Sequence, residues 1–258
     1  MGFNNIITSK KPIIEVKNVT LEIPLFSAAD FNLKRKLIKS VTGGAFRKKS
    51  NRSYIKALDS INIVVNPGEK IALIGHNGSG KTSFIRLISG IYQPTSGFLK
   101  TTVNVYPMIQ RSFIVEEELT GVESAKAHYL MMNNSLKGFK KFLDDVTEFS
   151  GLGDFIFLPL KTYSEGMSSR LMFALLTSQY HECLALDEGL GTGDKQFYSK
   201  AQKRLNSFLN NSGSLFIASH SSELLRRFCS RGIVFSSGKL IFDGEIEEAL
   251  TFYEEYNY

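Results

Sequence analysis

The stretch Lys70-Ile71-Ala72-Leu73-Ile74-Gly75-His76-Asn77-Gly78-Ser79-Gly80-Lys81-Thr82 decides the fold. Ile71 to Ile74 is an unbroken apolar run short enough for a buried strand, a glycine-rich turn follows, and Phe84, Leu87 and Ile88 then recur at helical spacing. Gly75 to Thr82 fits G-x-x-x-x-G-K-[ST] at every position, with the strand before it and the helix after it that this phosphate-binding loop requires. Gly75, Gly78 and Gly80 let the backbone N–H groups of the loop turn inward around phosphate, with His76, Asn77 and Ser79 between them. The helix start at Lys81, Thr82 and Ser83 adds partial positive charge. Lys81 reaches the outer phosphates, and the Thr82 hydroxyl is a ligand for Mg²⁺. Taken alone, the loop specifies nucleoside triphosphate binding.

Downstream, Cys183 to Leu186 and Leu215 to Ala218 are further buried strands separated by a helical pattern, and such alternation predicts a mainly parallel sheet with helices on its faces. Upstream, Ile13 to Ile23 alternates apolar and polar residues as a strand does, and Ala57 to Val65 with Asn66-Pro67-Gly68 predicts a second strand and turn. Phe113 to Leu176 lacks strand alternation and predicts helices, with a helical subdomain over 111–176. Ile233 to Phe242 predicts a hairpin about Ser237-Gly238, and 245–258 a short acidic tail helix. A basic insert spans 26–53: its first half predicts a helix capped at Ser27, with Leu33, Leu37 and Val41 on one face and Gly43-Gly44 as its stop, and Phe46 to Ser53 predicts a solvated loop. The 258 residues are expected to form a single domain.

Leu184-Ala185-Leu186-Asp187-Glu188 ends a buried strand on two carboxylates, which are costly there unless they bind a cation or do chemistry. Beside a phosphate loop they predict Asp187 on the magnesium-bound water and Glu188 polarising the attacking water. His220 follows the strand Leu215 to Ala218, where a parallel sheet presents it beside that carboxylate and the γ-phosphate. Glu188, His220 and Lys81 are thus the expected catalytic set.

Tyr163-Ser164-Glu165-Gly166-Met167 lies between the phosphate loop and the Asp-Glu pair and opens a helical pattern at Arg170 to Ala174. It is similar to Leu-Ser-Gly-Gly-Gln, the signature of the ABC ATPase family, and the order of motifs resembles that family over essentially the whole chain. The resemblance implies an α/β P-loop NTPase (RecA-like) with a mainly parallel sheet, an antiparallel β subdomain and an α-helical signature subdomain. It also implies ATP and Mg²⁺ sandwiched between two head-to-tail copies, with Ser164 and Gly166 of one on the γ-phosphate held by the other. By the same resemblance Gln110 contacts Mg²⁺ and couples to a permease through the segment up to Ala127, Asp194 acts across the dimer, and Tyr54 stacks on adenine, with Phe46 a competitor.

Glu165 and Met167 depart from the usual signature, and a carboxylate near a partner's triphosphate weakens the sandwich by repulsion. The Tyr-Ser-x-Gly-Met form, the Gly193-Asp194 loop ending and the basic insert resemble the branch that exports bacterial surface polysaccharides such as O-antigen, capsule and teichoic acid. Many O-antigen ATPases carry a C-terminal carbohydrate-binding domain, and a chain ending at Tyr258 is expected to lack one. The expected partners are a second copy, membrane permease subunits and a lipid-linked polysaccharide, at the cytoplasmic face of the inner membrane.

The formal charge of +6 is uneven: nine bases and no acid lie between Phe31 and Leu58, so the rest of the chain carries a formal −3. That segment faces anionic lipid, meets a glycolipid diphosphate, or is a solvated loop. A nucleic-acid or ribosome-associated ABC ATPase is the competing class, disfavoured because such chains usually carry two cassettes or a long coiled-coil insertion, and no nucleic acid is expected. An ABC ATPase for another cargo, or one that hydrolyses poorly because of Glu165, also stays open. No apolar run approaches the roughly 20 residues of a membrane-spanning helix. The start of the chain lacks a secretory or myristoylation pattern, and the two cysteines, Cys183 in a strand pattern and Cys229 in a helix pattern, predict small buried hydrophobes in a reducing compartment.

Overall fold

A computed structural model describes residues 11–25, 46–49, 52–108, 116–187 and 195–256. The chain forms two compact units: the first is residues 1–107, 181–188 and 213–258, the second residues 108–180 and 189–212.

The first unit holds two sheets. An antiparallel sheet has the order β2-β3-β1-β5, built from β1 (Ile14–Leu25), β2 (Phe46–Lys49), β3 (Arg52–Val65) and β5 (Ser96–Thr101). A six-stranded sheet has the order β10-β9-β4-β8-β7-β6, from β4 (Lys70–Ile74), β6 (Val105–Met108), β7 (Cys183–Asp187), β8 (Ser214–Ala218), β9 (Arg231–Ser236) and β10 (Lys239–Glu245). β9, β4, β8 and β7 run parallel, and the residues of β7 and β8 are buried throughout, as unbroken apolar runs require of central strands. The helices of this unit are α1 (Lys81–Ile88), α6 (Ser222–Phe228) and α7 (Ile246–Tyr256).

The alternation of β1 changes parity midway: Ile14 and Val16 are buried, then Val19 and Leu21. The cause is a bulge. Asn18 takes φ 49°, its N–H donating to Asn62 Oδ1 at 2.8 Å, and Ser60 at φ 56° shifts β3 likewise between Leu58 and Ile61. Opposite the bulge, Gly97 at φ 91° is forced to be glycine, because a Cβ there would run into the Asn18 carbonyl.

Two expectations change. Phe46 to Ser53 is not a loop: Phe46–Lys49 is an edge strand paired with Arg52–Ile55, and β3 begins at Arg52 rather than Ala57. Basic residues are common on edge strands, where charge disfavours pairing with another chain, so high charge does not imply a loop there. Cys229 stands just past α6 as its C-cap rather than inside a helix. The predicted helix capped at Ser27 lies outside the described residues. The hairpin forms as expected, with both Ser237 and Gly238 at positive φ, the conformation of a type I′ turn.

The second unit is helical, with α2 (Gly121–Asn133), α3 (Phe139–Ser150), 3₁₀ turns at Gly153–Phe157 and Leu160–Thr162, α4 (Glu165–Thr177) and α5 (Lys195–Asn211). Its core is aromatic: Tyr129, Phe142, Phe149, Phe173 and Phe197 pack together. Arg204 of α5 lies over the Phe149 ring at 4.3 Å, donates to both Asp145 carboxylate oxygens and reaches Thr177 Oγ1 at 3.0 Å, so one side chain ties α5 to α3 and α4. Among the described residues no helix is long and apolar enough to cross a membrane.

Candidate nucleotide-binding site

The sheet register sets the site. Leu73 of β4 pairs with Ala218 of β8, and Ala218 pairs with Asp187 of β7. Three parallel strands therefore end together: Asp187 is the last residue of β7, Gly75 to Lys81 follow β4 into α1, and His220 follows β8. A crevice outside the carboxyl ends of parallel strands is where this class of sheet binds ligands.

The loop is a tight cradle. Gly75 at φ 149° has no room for a Cβ, which would meet Phe235 O and come within 2.6 Å of Ser79 Oγ. Lys81 is buried, and its Nζ donates to Gly75 O at 2.7 Å and His76 O at 3.1 Å, so the ammonium is held inside the loop by the carbonyls it spans. Gly80 at φ 118° begins α1 with no side-chain cap and no acid in the first turn, leaving that helix start for an anion. Thr82 and Ser83 stand half-buried on the same turn. Ser79 Oγ is buried with no hydrogen-bond partner among the described residues. Backbone dipoles, a lysine and an unpartnered hydroxyl converge on one loop, a donor set suited to a polyphosphate.

Asp187 is buried at the end of β7, and His220 is exposed two residues beyond β8. His220 does turn toward the loop: its Nε2 lies 3.1 Å from Asn77 Oδ1. His76 directs Nδ1 to the Asn77 carbonyl at 2.8 Å, so Asn77 is engaged by two histidines. Thr82 and Asp187 offer hard oxygen donors of the kind Mg²⁺ takes. Among the described residues no three His, Cys, Asp or Glu side chains gather at a metal-sized site.

In the second unit, Ser164 is the exposed N-cap of α4, its Oγ accepting from the Met167 N–H at 3.2 Å, and Glu165 occupies the first turn. A Cβ on Gly166 would meet Ser164 Oγ at 3.9 Å, an ordinary contact. Tyr163 packs back into its own unit: the phenol donates to Phe155 O at 2.7 Å, and a Cβ on Gly121 would come within 2.6 Å of it. Burial raises the Tyr163 pKa, keeping it a donor. Gly121 opens α2 behind a capping box, with Thr120 Oγ1 accepting from the Glu123 N–H at 3.1 Å and Glu123 Oε2 accepting from the Thr120 N–H at 2.8 Å.

The family model described as ABC transporter matches residues 58–191, from the middle of β3 to just past Asp187. This chain belongs to the ABC transporter family. Among curated relatives, the O-antigen export system ATP-binding protein RfbE of Yersinia enterocolitica is 37% identical over 216 residues, 83% of this chain and 90% of the relative. The teichoic acids export ATP-binding protein TagH of Staphylococcus haemolyticus is 32% identical over 94% of this chain and 88% of its own length. The O-antigen export system ATP-binding protein RfbB of Klebsiella pneumoniae is 30% identical over 95% and 98%. Two solved structures share the fold: an ATP-binding subunit of an ABC transporter (TM-score 0.64, 19% identity, 94% of this chain and 93% of that one), and the ATP-binding cassette MJ0796, a post-hydrolysis dimer with ADP and Pi (TM-score 0.63, 17% identity, 90% and 98%).

In this ABC ATPase the first unit brings Gly75 to Ser83, Asp187 and His220 to one sheet end, and Ser164 and Gly166 stand in the second. Gln110, Glu188 and Asp194 lie outside the described residues. Tyr54 is half-buried on β3, opposite Pro24 and Arg47. The sequence reading gave no site role to Gly238. Its N–H donates to Ser79 O at 2.8 Å, its carbonyl accepts from the Asp59 N–H at 2.8 Å, and a Cβ on it would come within 2.9 Å of Ala57 O. The type I′ turn thus braces the phosphate loop against β3, and its only trace in sequence is a Ser-Gly pair that marks any tight hairpin.

Proposed function

We propose that the chain is the ATP-hydrolysing subunit of an exporter that moves a lipid-linked surface polysaccharide, O-antigen-like, across the bacterial cytoplasmic membrane. The register that ends β4, β7 and β8 together carries the ATPase half of this reading. The likeness to O-antigen and teichoic acid export ATP-binding proteins supports the cargo.

The loop N–H groups and Lys81 hold the triphosphate; binding phosphate draws the Lys81 ammonium off the Gly75 and His76 carbonyls that it now satisfies. Thr82, Asp187 and Gln110 would hold Mg²⁺, which supplies charge neutralisation across the β- and γ-phosphates. Glu188 orients and polarises the attacking water, and His220 contacts the γ-phosphate from the next strand end. Tyr54 is the proposed adenine platform. A second copy completes the site with the Ser164 hydroxyl, the Gly166 backbone and Asp194, the exposed N-terminus of α4 suiting an anion. The two copies close on ATP, drive permease subunits between states and reopen after hydrolysis, and Phe155, Phe157 and Leu158, all exposed in the helical unit, support a permease contact there. The chain would sit peripherally on the cytoplasmic face of the membrane.

Substituting Glu188→Gln in the native bacterium tests this. Lipid-linked polysaccharide retained in the cytoplasm with a bare surface is the expected result; a normal surface coat removes the export reading and leaves an ABC motor for another cargo.

A further inference from the structure

The helical unit carries a second basic region that the charge count along the chain conceals. Between Lys126 and Lys141 lie four lysines, Lys126, Lys137, Lys140 and Lys141, and no acid; the flanking acids are Glu123 on one side and Asp144 on the other. All four are exposed, and none forms an ion pair among the described residues. Hydrogen bonds from the Thr120 N–H and hydroxyl lower the Glu123 pKa, and Lys126, one turn away, adds to that effect. Asp145, the next acid along α3, is already committed to Arg204.

Three of these charges, on Lys137, Lys140 and Lys141, lie at the end of the α2–α3 pair where the two helices connect, and Lys126 stands about two turns back along α2. The Tyr129 hydroxyl donates to Lys137 O at 2.5 Å and its ring packs on Phe139 and Phe142, pinning the connection 134–138 to both helices. The first turn of α3 contains no acid but carries Lys140 and Lys141, so the positive helix end adds to the lysine field. Among the lysines stand apolar side chains that the core does not use: Met131 is 77% exposed, Leu136 45% and Leu130 37%. Leu130 falls one turn beyond Lys126 on the outer stripe of α2.

We propose that this end of the helical unit is a contact for an anionic bilayer surface, the lysines meeting lipid phosphates while Leu130, Met131 and Leu136 enter the interface between headgroups and acyl chains. The pairing of unpaired cations with exposed unbranched and γ-branched apolar chains matches that boundary, which is anionic outside and apolar within. A nucleic-acid surface has use for the lysines but none for Met131.

The test is co-sedimentation of the full chain with vesicles of phosphatidylcholine, alone or with added phosphatidylglycerol. Each lysine at an anionic surface contributes roughly fivefold to partitioning. The combined Lys137→Gln, Lys140→Gln and Lys141→Gln variant should bind the anionic vesicles at least about tenfold more weakly, while its ATPase rate in solution stays at the wild-type value. Met131→Asp should weaken binding without altering any cation, and it carries the test alone if the multiple variant does not fold. Unchanged binding of both variants overturns the proposal and assigns any vesicle affinity to the basic segment 31–58, which both retain. Equal wild-type binding to neutral vesicles, or retention on duplex RNA with none on vesicles, also overturns it. Failure here leaves the export reading untouched, since that is read in where the polysaccharide accumulates.

Discussion

His220 Nε2 lies 3.1 Å from Asn77 Oδ1, so the loop after β8 is tied to the phosphate loop by one side-chain contact across 143 residues of sequence. Donation from Nε2–H to the amide oxygen holds the ring against the phosphate loop. His220→Ala should lower kcat by about a hundredfold, the scale of losing a positioned polar group at a reacting phosphate. Asn77→Ala should cost less, and the double variant no more than His220→Ala alone, since both report one contact. Steady-state ATPase assays of the three variants check this; fully additive losses would mean that the pair acts independently.

The brace at Gly238 gives a prediction of a different kind. Gly238→Ala places a methyl within 2.9 Å of Ala57 O at φ 79°, where neither the backbone nor the neighbour can yield cheaply. The expected destabilisation is about 1–2 kcal/mol, with nucleotide affinity reduced because Ser79 O loses its support. Calorimetric titration with a non-hydrolysable ATP analogue, beside a thermal melt, separates the two. Affinity lost by Gly238→Ala but retained by Gly68→Ala, whose added Cβ meets nothing within 4 Å, is the expected pattern.

The contrast between these sites shows what a sequence exposes. The phosphate loop was legible because all of its chemistry falls within eight consecutive residues, and Asp187 because it ends an apolar run. His220 was legible only by position, through the strand it follows. The bulge pair at Asn18 and Ser60 was not legible, since a one-residue parity slip in β1 makes sense only beside the matching slip in β3. Edge strand β2 was hidden by its own charge. Arg204 and Asp145 are 59 residues apart, and nothing local distinguishes either from a solvated charge.

His128 sits in the helical unit with its ring stacked on Phe142 at 6.2 Å, and burial pushes its pKa down to about 4 from 6.5. The folded state therefore holds the ring neutral where the unfolded chain protonates it. Between pH 6.5 and 4 the unfolded state binds more protons, so this contribution is complete above pH 6.5 and is lost as pH falls toward 4. The full shift corresponds to about 3 kcal/mol. Thermal melts of wild type and His128→Phe over that range should converge at acid pH, the variant losing less stability; parallel curves would show that His128 is not the group responsible.

Glu165 stands in the first turn of α4, one residue past Ser164, where a carboxylate stabilises the positive helix end by about 0.5 kcal/mol. That placement gives it a local reason to be there. Its side chain is exposed, so it can swing into solvent when a partner's triphosphate approaches, and water and salt screen what repulsion remains. In the proposed sandwich, contact with that phosphate falls to the Ser164 hydroxyl and the Gly166 backbone, neither of which needs the side chain of Glu165 removed. Glu165→Gly should consequently leave turnover within about twofold of wild type while lowering thermal stability slightly. Ser164→Ala, by contrast, removes both the N-cap and the proposed phosphate contact and should depress turnover far more. A large rise in the rate of Glu165→Gly over wild type would instead identify the carboxylate as a brake on hydrolysis.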